Sequence, residues 1–418
     1  MNYFICSNCV IDEILIDYIN ENGSLNECSL CKGNKHSIDL RVDEKFSQMI
    51  KGLIRFHYEG IYYSSRFGEQ TAEGLLLDDN KIIKISEEFR EEYDEMGESE
   101  FVNLLLKGGY YEHYESGVSL ATGERYDMGP PVPELWDKNL RSLMNTLKYQ
   151  NYYEVVKQLT DKLRSIKDYI GYYLKEEEFY RARIGVAKEC TYSPVDDDIL
   201  DEGEYFKTYL PYRGKSIGSP PPQKCNEGRM NRNGVSFLYL ASDIETAISE
   251  NRPSRKHLIS IGRFKRKSEL YVANFNDINY KDFCISDKLI DDYIFLKDIE
   301  KSFSIPKPNK DYRETQCFAE AMLNLGFEGI AYKSSLTNSD GYNLVIFTPD
   351  KFEYDINFSQ VYEVEKVQYK YEEKTSTIKA DSWYFCEHER GYSELEGKEI
   401  IEKYGDVLIT HDGKIPQI

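Results

Sequence analysis

Between residues 136 and 170, apolar side chains recur mostly at three- and four-residue steps, among them Trp136, Leu140, Leu143, Leu147, Leu159, Leu163 and Ile170. This spacing predicts long amphipathic helices, interrupted near 149–151, that each bury one face. The Gly-Pro-Pro-Val-Pro run at 129–133 breaks the chain ahead of them. Beyond residue 179 the period changes. Short apolar runs at 235–241, 258–264, 270–275, 329–332 and 343–347 read as strands, and 313–325 reads as a helix with Gly326 placed for a C-terminal cap. The proline-rich loop at 217–222 is expected to be irregular and to wall a pocket or simply turn the chain. The alternation predicts an α+β fold in which a mainly helical segment precedes a mixed one.

One stretch, 228–253, concentrates candidate chemistry. A strand at 235–241 is followed at once by a helix, whose start is predicted at Ser242 from the capping-box spacing of Ser242 and Glu245. Its end is expected near Asn251, ahead of Pro253. Arg229 then lies on the approach to the strand, Tyr239 near its end, and Glu250 in the last helical turn. A carboxylate there faces the negative end of the helix dipole, where it destabilises the helix. Such a placement suits a functional carboxylate, and it equally suits a solvated Glu beside Arg252.

Length and charge narrow the possibilities. A chain of 418 residues exceeds one compact core, and the segments expected are 1–39, 40–170, 171–350 and 351–418. The last, charged and tyrosine-rich, reads as a small β extension. A net charge of −20 argues against broad nucleic-acid or acidic-membrane binding, which needs a basic face. An anionic substrate must therefore meet a local basic pocket. Arg252, Arg255, Lys256, Arg263, Lys265, Arg266 and Lys267 offer one, or else merely balance acidic neighbours. The segment 87–100 holds eight carboxylates and reads as a solvated face. No apolar run reaches the ~18 residues of a spanning helix, and the start lacks a secretory pattern, so a soluble cytoplasmic protein is expected. The 35 tyrosines and 20 phenylalanines, without repeats, indicate core and interface rather than a stacking array for bases, and the tyrosine-rich helices suit a homodimer.

Among nine cysteines, Cys6, Cys9, Cys28 and Cys31 form two C-x-x-C knuckles 18 residues apart. Four thiolates in this spacing predict a closed tetrahedral structural zinc site, with iron as an alternative that uses the same ligands. A catalytic zinc is disfavoured because no coordination position is left for water. His36 reads as a bystander, and the isolated His388 and His411 as solvated or core residues.

Taken together, Phe179-Tyr-Arg-Ala-Arg183, Gly228-Arg-Met-Asn231, Leu238-Tyr-Leu-Ala241, Glu250, Gly329-Ile-Ala-Tyr-Lys-Ser334 and Asn343-Leu-Val-Ile-Phe347 resemble the RES domain over roughly 179–350. The knuckles and helices before it resemble the HEPN-related extension of some RES proteins, although the Arg and His four to six residues apart that mark HEPN nucleases are missing. The resemblance implies a fold similar to diphtheria-toxin-class ADP-ribosyltransferases. It also implies an NAD⁺-degrading toxin of toxin-antitoxin or anti-phage systems, with NAD⁺ as substrate and an antitoxin or activating partner. Position by position it implies catalytic roles for Arg181, Arg229, Tyr239, Glu250 and Ser334, and substrate binding by Arg183, Asn231 and Asn343. Arg183 and Arg181 are interchangeable on this reading, as are Ser335 and Ser334. Two rival readings remain: an ADP-ribosyltransferase acting on a macromolecule, and a catalytically inactive zinc-dependent binding protein.

Overall fold

A computed structural model describes residues 3–57, 82–84, 104–106, 137–147, 149–192, 206–286, 289–305, 311–337, 340–368, 385–387 and 391–393. The acidic run 87–100, the 129–133 break, Trp136, His388 and His411 lie outside the described residues. Contacts group the chain into two compact units, 1–364 and 365–418. In the second unit, β14 (Phe385–Glu387) and β15 (Gly391–Ser393) form an antiparallel hairpin.

The first unit begins with a three-stranded sheet ordered β1 (Phe4–Cys6), β3 (Asn34–Asp39), β2 (Ser24–Glu27). Between β1 and β2 runs α1 (Glu13–Asn22), whose first turn is closed by Asp12 accepting from the Ile14 N–H at 2.9 Å. Helix α2 (Glu44–His57) follows. Helices α3 (Lys138–Thr146), α4 (Tyr152–Arg164) and α5 (Lys167–Ile170) carry the expected periodicity. The expected interruption lies between α3 and α4, where Asn151 caps the new helix through the Tyr153 N–H. Val155, Val156, Leu159 and Leu163 form the buried stripe of α4, which packs on α8 (Arg313–Asn324).

The centre of this unit is an eight-stranded sheet. Its strands are β4 (Gly171–Tyr173), β5 (Glu178–Ile184), β8 (Leu238–Ala241), β9 (Leu258–Arg266), β10 (Tyr271–Phe275), β11 (Gly329–Lys333), β12 (Tyr342–Ile346) and β13 (Phe352–Glu363). They are ordered β13-β9-β5-β8-β12-β11-β10-β4, and β10 and β11 are the parallel pair. Edge strand β13 lies past the boundary expected at 350. Strands β6 (Lys188–Tyr192) and β7 (Phe206–Leu210) pair separately. One face of the sheet shares a continuous apolar core with α7 (Ile290–Ser304), α8, α4, α2 and the N-terminal strands. The other face buries Phe179, Leu240, Leu270 and Leu344.

Three local readings change. Helix α6 (Ile244–Glu250) starts one residue later than expected, because Asp243 rather than Ser242 caps it, accepting from the Thr246 N–H at 2.8 Å. Ser242 Oγ instead donates to Asp243 Oδ2. Strand β8 is shorter than 235–241: Gly234 is left-handed at φ 78°, and the Val235 carbonyl is held by Asn231, which keeps 235–237 in the preceding loop. Helix α7 has no counterpart among the sequence expectations. Its buried Ile290, Tyr293, Phe295, Asp298, Ile299 and Phe303 surround the axis, so no single-faced period announces it. Gly326, at φ 84°, follows α8 as expected.

Candidate active site

Sheet register sets one row of side chains side by side. Tyr180 pairs with Ala241, Ala241 with Asn343, and Asn343 with Tyr332, so these four point to the same face across β5, β8, β12 and β11. Tyr180 and Ala241 are the one paired position between β5 and β8 among the described residues. Beyond it the two strands part. There the Arg181 guanidinium donates to the Tyr239 carbonyl at 2.8 Å, taking a bond that a continued ladder would supply. An open cleft of about 370 Å³ lies at this split. It is lined by the row itself and by Arg181, Arg229, Tyr239, Glu250, Glu227 and Tyr312 among others. Its size falls within the range of small-molecule pockets, ~300–1,000 Å³.

Glu250 ends α6 with its carboxylate turned to the sheet. Its Oε1 accepts two hydrogen bonds, from Ser334 Oγ at 2.9 Å and Asn343 Nδ2 at 2.7 Å. Its Oε2 lies 3.9 Å from an Arg229 guanidinium nitrogen. These partners offset the unfavourable helix end. Ser334 and Asn343 are 3 % and 5 % exposed, so the donors are fixed before any ligand arrives. Arg229 is itself held from two sides: its guanidinium donates to the Phe303 carbonyl at 2.7 Å and stands 5.7 Å from the Tyr332 ring centre. Burial pushes the Arg181 guanidinium down to about 10 and the Tyr239 phenol up to about 12. Burial likewise raises the Tyr332 phenol.

The remaining candidates lie elsewhere. Arg183 is exposed, stacks 4.4 Å over the Tyr212 ring and donates to the Ser216 carbonyl. Ser335 Oγ donates to the Ser304 carbonyl at 2.7 Å, so of the two serines it is Ser334 that meets Glu250. Asn231 is buried in its own loop. Its amide donates to the carbonyls of Asn226 and Val235 at 3.0 and 2.9 Å and accepts from the Tyr239 hydroxyl at 2.7 Å. Of the basic strip, Arg263 and Lys265 pair with Glu178 and Asp355, and Lys256 with Glu363. That corresponds to the charge-balancing alternative. Tyr332 and Tyr312 were not singled out by sequence; Tyr332, two residues before Ser334 on a strand, could have been found from that spacing.

A second constellation lies at the N-terminus. The Sγ atoms of Cys6, Cys9, Cys28 and Cys31 all lie within 4.8 Å of one another. Three of the separations are 3.8 Å (Cys6 to Cys9), 3.6 Å (Cys6 to Cys31) and 3.8 Å (Cys28 to Cys9). A tetrahedron with ~2.3 Å metal–sulfur bonds has an edge of ~3.8 Å, so the four sulfurs fit a tetrahedral metal ion. His36 sits on β3 opposite Leu25, outside this group. Among the described residues, no helix is long and apolar enough to cross a membrane.

No curated protein matches the chain. Among solved structures it is similar to a chain of the crystal structure of the M. tuberculosis MbcT-MbcA toxin-antitoxin complex, at 13 % identity and a TM-score of 0.27, covering 49 % of this chain and 92 % of that one. Residues 200–369, which hold every cleft residue named above except Tyr180 and Arg181 of β5, match the RES domain.

Proposed function

We propose that the chain is an NAD⁺-degrading toxin or effector that cleaves the bond between nicotinamide and ribose, with water or phosphate as acceptor. One observation carries the reading. Within a RES domain, Glu250 is gripped through Oε1 by Ser334 and Asn343, while Oε2 faces Arg229 beside the cleft. Cleavage passes through an oxocarbenium-like state, and a fixed carboxylate beside the ribose stabilises that charge. Nicotinamide leaves with the electron pair of its bond to C1′. A water oxygen bonds to C1′ and its proton passes to solvent, or an ionised phosphate oxygen bonds there with no proton to lose, without a covalent enzyme intermediate. Arg229 and Arg181 suit the diphosphate, since a guanidinium offers paired donors to paired oxygens. Tyr239 and Tyr332, which line the cleft, suit the nicotinamide ring. The split between β5 and β8 supports the ADP-ribosyltransferase-like fold that the family resemblance implies.

The four cysteines would hold zinc as a structural ion that closes the N-terminal module. With the helical segment, the module suits a gate, because an NAD⁺ consumer must be restrained in its own cytoplasm by an antitoxin or a trigger. Toxin-antitoxin or anti-phage defence fits that need.

Incubating the purified protein with NAD⁺, with and without phosphate, and resolving the products tests the reaction. Release of nicotinamide is expected, and Glu250→Gln should slow it by about 10²–10³-fold, the usual effect of removing one preorganised electrostatic group. Unchanged NAD⁺ both in this assay and in cells expressing the protein would overturn the reading. Transfer of label to protein or nucleic acid would favour the macromolecular ADP-ribosyltransferase instead.

A further inference from the structure

Arg229 sits in the loop between Cys225 and Val235, which has no strand or helix to hold it in place. What fixes this loop is buried and polar. From the first turn of α8, Thr315 Oγ1 donates to the carbonyl of Arg229. Its neighbour Gln316 donates through Nε2 to the carbonyls of Gly228 at 3.0 Å and Asn231 at 3.2 Å. Both residues are almost inaccessible, at 1 % and 5 % exposure. From the sheet side, the Tyr239 hydroxyl accepts from the Met230 N–H at 3.1 Å and donates to Asn231 Oδ1. The turn is closed by the Gly228 N–H on the Asn231 carbonyl at 2.9 Å. Gly228 leaves no slack, since a Cβ there would lie 2.5 Å from Asn231 Oδ1.

Three carbonyls of one short turn therefore point at two adjacent side chains of a helix that is not otherwise part of the site. A buried carbonyl needs a donor, and in a loop without a ladder side chains can supply it. Neither Thr315 nor Gln316 is among the residues lining the cleft. The next residue on the path, Arg229, reaches Glu250, the Phe303 carbonyl and the Tyr332 ring. We propose that Thr315 and Gln316 are positioning residues for Arg229, fixing the backbone from which its guanidinium reaches Glu250 and the substrate diphosphate. The proposal rests on the NAD⁺-cleaving reading of the cleft and assigns that site a support from α8.

The test is a double-mutant cycle in the full chain. Thr315→Val and Gln316→Met keep shape and remove the donors; Thr315→Ser keeps the hydroxyl. Each is measured for kcat and KM with NAD⁺, alone and combined with Arg229→Ala, and for amide exchange at Gly228 and Met230 without substrate. About 10- to 100-fold losses in kcat/KM are expected for Thr315→Val and Gln316→Met, the order of one or two lost hydrogen bonds. Exchange at both amides should quicken in these two variants. Thr315→Ser should stay near wild type, and neither donor-removing change should add more than about two-fold once Arg229 is gone. Equal losses with and without Arg229, unchanged exchange, or Thr315→Ser as impaired as Thr315→Val would each overturn the proposal while wild-type cleavage stands. A wild-type chain inert toward NAD⁺ would instead remove the reading beneath it. If Gln316→Met does not fold, the two Thr315 variants carry the same test.

Discussion

The cysteine cluster and the Glu250 cleft are built in opposite ways. Cys6, Cys9, Cys28 and Cys31 come from two tight knuckles joined by a single short excursion, and β1 and β3 hold them in a module of local contacts. The cleft draws on Arg181, Arg229, Glu250, Ser334 and Asn343, which only sheet register and one buried loop bring together. A metal site of the first kind is a matter of spacing along the chain. A carboxylate site of the second kind is a matter of which strands are neighbours. Damage should therefore spread differently: outward into the fold from the cysteines, and inward onto the chemistry from the cleft.

The largest expected effect is on the cysteine side. Replacing Cys9 and Cys28 by Ser should abolish metal binding, removing a contribution that reaches ~10–16 kcal/mol in small zinc modules. Because Cys6, Cys9 and Cys28 belong to the same core as Phe46 and Leu53, the loss should open this region to limited proteolysis. Full-length protein that neither binds metal nor changes in protease sensitivity would break the contrast. On the cleft side, Asn343→Ala deletes one of the two donors on Glu250 Oε1. A hydrogen bond to a charged group is worth ~1.5–3 kcal/mol, so kcat/KM for NAD⁺ should fall ~10- to 100-fold. Metal content should not change, and a loss of metal in this variant would mean the two regions are coupled.

The smallest effect concerns the helix that delivers Glu250. Asp243→Ala should cost about 1 kcal/mol of stability through the lost cap, read as a lower melting temperature with metal content intact. Burial alone would raise the Asp243 carboxyl, yet bonds from the Thr246 N–H, Thr246 Oγ1 and Ser242 Oγ hold it below the usual carboxylate range. A depressed carboxyl stabilises fully above its unfolded value, about 3.9, and that share is lost as pH falls through the folded value. The wild-type advantage over Asp243→Ala should therefore shrink only in strong acid.

Legibility in the sequence followed the same division. The knuckles are readable because their ligands are near neighbours in the chain. The strands at 258–266, 271–275, 329–333 and 342–346 are readable to within a residue or two because buried strands are short apolar runs. The roles of Ser334 and Ser335 are not, since they differ only in direction at a strand end: one meets Glu250 and the other the Ser304 carbonyl. Asn231 stands in the motif beside Arg229, yet its side chain is engaged inside the loop, a fact that no spacing encodes. Nor does spacing disclose that the Phe303 carbonyl, near the end of a helix with buried residues on every side, receives Arg229.

Chain order gives the grip on Glu250 one further meaning. Ser334 lies 84 residues and Asn343 93 residues downstream of the glutamate they hold. On a ribosome, Arg229 and Glu250 emerge well before either donor, and β12, the strand that lies between β8 and β11, is still untranslated. An unfinished polypeptide thus carries the carboxylate without the two bonds that aim it. On the proposed reading, translation itself delays the hazard, and a cell making this protein meets its chemistry only from chains already long enough to be placed under control.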